Sequence, residues 1–227
     1  MSPRTVASLL SARGVALAAL TDHNSALNVP AFFAACRAEG IAPLAGIEAQ
    51  TAEECHALCL FAECETALLL GEELYALMPP VMNIPEKTGD QVYVDENDDI
   101  LGEVDKYLVT SADIALESLA ERVRELGGLF IPAHVDRPAF SMTSQLGFIV
   151  AGPWDALEIV RMKGTDGESG PGIDTMGYPL ITSSDAHYPE HVARRPFDLD
   201  IQKDPLLLPD GRVNIETVRA ALLRRPR

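Results

Sequence analysis

The chain has 227 residues, 47% of them hydrophobic, enough for one sizeable core, and the simplest organisation is a single domain over 1–227. Its 34 Asp and Glu outnumber 18 Lys and Arg, for a net charge of −16. Such a surface disfavours non-specific binding to nucleic acid or anionic membrane, so an anionic substrate would need a local cation such as a bound metal. No segment is apolar for long enough to span a bilayer, and no secretory leader is visible. The four cysteines (Cys36, Cys55, Cys59 and Cys64) contain no C-x-x-C pair, which suits a reduced, cytoplasmic protein with buried thiols better than a Cys/His zinc site around His56.

In chain order, Ser2-Pro3 is a helix start and Gly14 its stop. Ala16 to His23 is an apolar run ending on a carboxylate and an imidazole, the pattern of a buried strand with polar groups at its carboxyl end. A helix from Val29 or Pro30 to Glu39 follows, then a strand over Ile41–Glu48 and another over Cys55–Ala62. Glu65–Met78 reads as a helix, and residues 79–110 as a small excursion containing a hairpin with an acidic turn at Asp95–Asp99. Asp113–Leu126 is an amphipathic helix stopped by Gly127-Gly128. Strands are expected at Leu129–Val135, Trp154–Val160 and Leu180–Ser184, a glycine-rich loop at 164–177, and a final helix from Asn214. Alternating helices and strands predict an α/β fold with a largely parallel sheet.

Three of the five histidines follow apolar strands: His23, His134 and His187. A fourth, His56, opens the strand after Glu48, whereas His191 has no such setting. Asp185 lies two residues before His187, so on an extended backbone both would face one way; neighbours Asp22 and His23 would face opposite ways. Histidine with carboxylate suits Zn, Mn or Fe better than Mg or Ca. Glu48, His56 and His134 make one candidate site, and Asp185, His187 and His23 a second, with Glu48 placed to bridge them. Taken singly, a histidine at a strand end is more often a hydrogen-bonded structural residue. The joint pattern is what points to metal.

Leu20-Thr-Asp-His-Asn24, Pro43-Leu-Ala-Gly-Ile-Glu48, Glu54-Cys-His-Ala-Leu58, Ile131-Pro-Ala-His134 and Ser184-Asp-Ala-His187 come in the order found in PHP (polymerase and histidinol phosphatase) domains. The chain resembles the metal-dependent phosphoesterases of that family. The resemblance implies a distorted (β/α)7 barrel with one to three divalent ions at the carboxyl ends of its strands. Glu48 would bridge two ions, His56 and His134 would complete one site, His23 and His187 would serve another, and Asp185 the remaining one. Asp185 and His187 are the candidate catalytic residues, and Arg137 and Arg161, just past two strand ends, the candidates to hold substrate phosphate.

The family's opening His-x-His strand has no counterpart here, so the barrel is expected to be incomplete, with a second copy of the chain covering the gap. The expected activity is hydrolysis of a small phosphate ester by metal-activated water, with nucleic acid an unlikely substrate. The rival readings are a non-catalytic metal-binding relic acting through interactions and a related metal-dependent amidohydrolase.

Overall fold

The computed structural model describes residues 1–160 and 172–225. Helix α1 (Pro3–Ala12) starts where the Ser2 hydroxyl accepts the Thr5 N–H, and a short turn leads into β1 (Leu17–His23). Helix α2 (Val29–Ala38) then crosses back to β2 (Ala42–Gln50), which pairs with β1 in parallel from Leu17↔Ala42 to His23↔Glu48. Only residues 51–55 separate β2 from β3 (His56–Phe61), far too few for a crossover, so these strands are antiparallel. Helices α3 (Cys64–Leu77) and α4 (Pro85–Thr88) lead to the expected hairpin, β4 (Val92–Val94) and β5 (Ile100–Glu103). Asn28, at the start of α2, anchors this excursion by accepting the Val94 N–H at 3.1 Å.

Helix α5 (Leu116–Glu125) precedes β6 (Leu129–Pro132), which lies antiparallel to β3. After α6 (Met142–Leu146), β7 (Leu157–Glu158) pairs in parallel with β8 (Leu180–Ile181), and α7 (Ile215–Leu223) follows, capped by Asn214. Two backbone bonds, Asp155 N–H to Phe130 O (2.9 Å) and Val135 N–H to Glu158 O (2.8 Å), tie β7 to β6. The strand layer therefore runs β1-β2-β3-β6-β7-β8. It is mixed, which corrects the expectation of a largely parallel sheet. The strand expected over 154–160 shrinks to β7 because Trp154 leaves the layer for the core, its indole N–H donating to Val150 O at 2.8 Å. The strand expected over 180–184 is likewise reduced to β8.

The layer curls. His23 at the end of β1 and His187 beyond β8 have ring centroids 6.2 Å apart, although their strands are the two ends of the layer. Among the described residues the arc does not close into a barrel, and β1 has no strand on its far side. The curl creates two cores. Outside, Ile47, Cys59, Phe61 and Phe130 pack against α1, α2, α3 and α5 through Ala7, Phe32, Leu70 and Leu119. Inside, Leu44, Leu58, Leu60, Leu129 and Ile131 pack against Val218 and Leu222 of α7. Strand alternation thus decides which face each side chain meets. It puts Cys59 outside, away from His56, so the Cys/His zinc alternative is not built. The cysteines are free; burial pushes the Cys36 thiol up to about 12, and Cys55 and Cys64 up to about 11.

Gly46 lets β2 lie close against β1. A Cβ there would stand 2.6 Å from Leu20 O and from Thr21 Cγ2. No helix among the described residues is long and apolar enough to cross a membrane.

Candidate metal centre

The inner face of β2 changes character along its length, from Leu44 through Gly46 to Glu48 and Gln50. Glu48 is 9% exposed and lies beside His23 on β1 and near the start of β3, where His56 points inward. Glu48 Oε1 is 3.1 Å from His56 Nδ1 and 3.3 Å from His134 Nε2, and Glu48 Oε2 is 3.7 Å from His23 Nδ1. The His56 ring lies 5.2 Å from the rings of both His23 and His134. His23, Glu48 and His56 offer three ligand atoms within 4.8 Å of one another, the spacing a single ion could share. Three segments remote in sequence are thereby brought onto one carboxylate.

The donors fit a divalent ion of the Zn, Mn or Fe type. His23 Nδ1 and His134 Nδ1 are buried without a hydrogen-bond partner among the described residues. Both ring nitrogens of His56 face oxygens, Glu48 Oε1 and, at 3.3 Å, Gln50 Oε1. A neutral ring has one proton and can serve only one of them; a cation shared with Glu48 would serve the other. Burial alone would raise the Glu48 carboxyl, but hydrogen bonds from His134 and His56 and the proximity of His23 reverse this and hold it well below the usual range. Burial pushes His23 down, against the pull of Glu48, which favours the neutral form that has a lone pair to offer.

Asp185 and His187 lie beyond β8. Asp185 is not extended, as its spacing from His187 had suggested, but left-handed (φ +45°). The turn still brings His187 Nδ1 to 3.6 Å from Asp185 Oδ1. Arg137 does not stand free for substrate: its Nη1 donates to Asp185 Oδ2 at 2.7 Å. Arg194 and Arg195 donate to the carbonyls of Ser184 and Ser183 at 2.6 and 2.8 Å, bracing the same segment. Asp22 faces away from His23, as alternation requires, and accepts from Asn28 Nδ2 at 3.0 Å. Arg161 lies outside the described residues, as does most of the glycine-rich loop.

Four residues around this cluster escape a reading by spacing. Asn24 (φ +47°) is 1% exposed; its amide donates to Leu108 O and Thr110 O, both at 2.8 Å, and its Oδ1 accepts the Gln50 N–H at 3.0 Å. Gln50 in turn donates to Ser111 Oγ at 3.1 Å. Phe140 (φ +52°) stacks on His56 at 5.1 Å with 17° between the planes, and its carbonyl accepts the His56 N–H at 3.1 Å. Glu158 is 1% exposed on the inner face of β7, and burial raises its carboxyl above the usual range despite the Ser183 hydroxyl bound to it. Asn24 alone had a local signal, since Asn tolerates left-handed backbone. His134 (φ +32°) and Asp185 share some of that tolerance and Phe140 has none, and each left-handed residue costs about 1–3 kcal/mol.

Among curated proteins, none matches the chain by sequence. Three solved structures share its fold. A candidate metal-dependent phosphoesterase of Bifidobacterium adolescentis is 15% identical, covers 100% of this chain and 92% of its own, and gives a TM-score of 0.55. The lesion-specific endonuclease EndoQ of Pyrococcus furiosus is 18% identical over 83% of this chain, with a TM-score of 0.50. An Endonuclease Q complex with a 27-mer duplex bearing an abasic lesion at its active site is 16% identical, also over 83%, with a TM-score of 0.51. The chain spans 44% and 45% of those two endonuclease chains. The PHP domain model matches residues 1–135, more than half of the chain and the part that holds His23, Glu48, His56 and His134. The chain belongs to the PHP domain family.

Proposed function

We propose that this protein is a metal-dependent phosphoesterase that hydrolyses a phosphate ester. The observation that carries the reading is the convergence of His23, His56 and His134 on the buried Glu48 carboxylate. Glu48, His56 and His134 would hold one ion, and His23 with Asp185 and His187 another, with Glu48 between them. Bound divalent ions would supply an activated water and charge neutralisation on the phosphoryl oxygens. Asp185 Oδ1, the oxygen that Arg137 leaves open, is the candidate proton acceptor, and the exposed His187 beside it the route to solvent. Arg137, held by Asp185 through one of its nitrogens, keeps further donors that would suit a phosphate, and Arg161 is proposed for the same role.

A small phosphorylated molecule is the simplest substrate for a chain of net charge −16. The likeness to two endonuclease Q structures puts nucleic acid on the list as well, against the expectation from charge. The unpaired side of β1 leaves room in this reading for a second copy of the chain, which light scattering would weigh; a single-chain mass at every concentration overturns that part.

The test is metal analysis of the purified protein together with phosphate release from p-nitrophenyl phosphate, with and without chelator. Bis(p-nitrophenyl) phosphate and an abasic oligonucleotide form the nucleic-acid arm, and simple amides the control. Chelator-sensitive ester cleavage is expected. A chain that binds no Zn, Mn or Fe, or that cleaves amides and no esters, refutes the proposal.

A further inference from the structure

Glu158 lies inside the arc on β7 and is 1% exposed, yet none of the roles assigned above uses it. Its carboxylate is divided between two segments. Oε2 accepts the backbone N–H of His134 at 3.2 Å, and Oε1 accepts the Ser183 hydroxyl at 2.5 Å. The Glu158 carbonyl accepts the Val135 N–H at 2.8 Å, so the first segment is gripped twice. His134 belongs to the segment leaving β6, and Ser183 to the segment leaving β8 that delivers Asp185 and His187. Both segments pass through left-handed backbone at a non-glycine residue, His134 at φ +32° and Asp185 at φ +45°. Such conformations persist only where the surroundings dictate them. Past Pro132 and Ile181 the strand ladder no longer sets the backbone, so bonds from neighbouring segments must; among the described residues Glu158 alone supplies a side-chain bond to both, beside the Arg137, Arg194 and Arg195 contacts that brace the second.

We propose that Glu158 is a positioning residue: it fixes the distance between the His134 segment and the Ser183–His187 segment, and thereby the spacing of the donors that meet around Glu48. The assignment rests on the metal-centre reading and deepens it. What matters is reach. A Gln at this position has the same length; its oxygen can accept the His134 N–H while its NH₂ donates to Ser183 Oγ. An Asp keeps the charge but is one methylene shorter, and can serve only one segment.

The experiment is titration of metal-free wild type, Glu158→Gln, Glu158→Asp and Glu158→Ala with Co(II), reading affinity, stoichiometry and the visible absorption of the bound ion, with thermal melting alongside. Glu158→Gln is expected to bind within about three-fold of wild type with an unchanged spectrum, whereas Glu158→Asp and Glu158→Ala lose about 10- to 100-fold, the usual cost of removing an outer partner of a ligand, and shift the spectrum. Ser183→Ala removes one tie and is expected to cost about ten-fold; unchanged binding there overturns the proposal even if Glu158→Ala does not fold. Wild-type behaviour of Glu158→Asp with failure of Glu158→Gln also overturns it, since charge and not reach would then be at work. A wild type that binds no cobalt overturns the metal-centre reading itself, and this assignment with it.

Discussion

Replacing Glu48 by Gln in the metal-free protein tests the centre without any substrate. The wild-type carboxylate faces His56 and His134 at 3.1 and 3.3 Å on one oxygen and has His23 3.7 Å from the other. A hydrogen bond to a charged group contributes about 1.5–3 kcal/mol and a neutral one about 0.5–1.5, so two weakened bonds lose roughly 2–3 kcal/mol. The amide recovers part of this because it is cheaper to bury. Burial is the largest single influence on Glu48, but the imidazoles outweigh it, so the sign stays destabilising. A net loss of about 1–3 kcal/mol lowers the Tm by about 2–12 °C for a chain of this length. Circular dichroism melts at pH 7 in chelator would measure it. Added Zn should then raise the wild-type Tm more than that of Glu48→Gln, since a neutral amide is the poorer ligand. A variant that melts at or above wild type in chelator, or an equal response to metal, refutes the reasoning.

Two groups of the metal centre should weaken the metal-free protein on acidification, against an opposing gain from Glu158 and Asp22, whose burial raises their carboxyls. His23 is pushed down on folding, so the unfolded chain takes up a proton there below about pH 6.5 and the stabilisation is lost from that point downward; Glu48, held low, adds a second loss as the pH passes below its unfolded value of about 4.3. Urea midpoints from pH 8 to about pH 2.5 would show both phases, and His23→Gln should flatten the upper one. Gly46→Ala forces a Cβ against Leu20 O and is expected to cost towards the upper end of about 1–3 kcal/mol in urea unfolding; a neutral effect would show that β1 can move off β2 freely. Phe140→Ala removes a ring stacked on His56, worth about 0.5–1.5 kcal/mol, and should speed metal release in a chelator chase about 2- to 12-fold.

Much of the centre is legible in the sequence because alternation within a strand leaves little freedom. Glu48 and His56 must face inward once Leu44 and Leu58 do, and His23 must oppose Asp22. Legibility stops where strands stop. His134, Phe140 and Asp185 lie on left-handed backbone whose direction no period of two or 3.6 encodes, so Phe140 over His56 and Arg137 on Asp185 could not be read from spacing. Glu158 was hidden for the opposite reason. It occupies an ordinary strand position in an apolar run, and only its two distant partners reveal what it holds. Alternating elements suggest a largely parallel sheet, and β3 departs from it because residues 51–55 leave no length for a crossover.

Helix α7 fills the hollow of the arc with Val218 and Leu222, and its Arg219 reaches Asp155 and the Gly128 carbonyl beneath β6 and β7. A ribosome-bound nascent chain that has emerged only as far as residue 214 would own the whole outer shell but no stopper for its interior. Chelating capacity should therefore wait for α7 to emerge, after the outer helices have already settled.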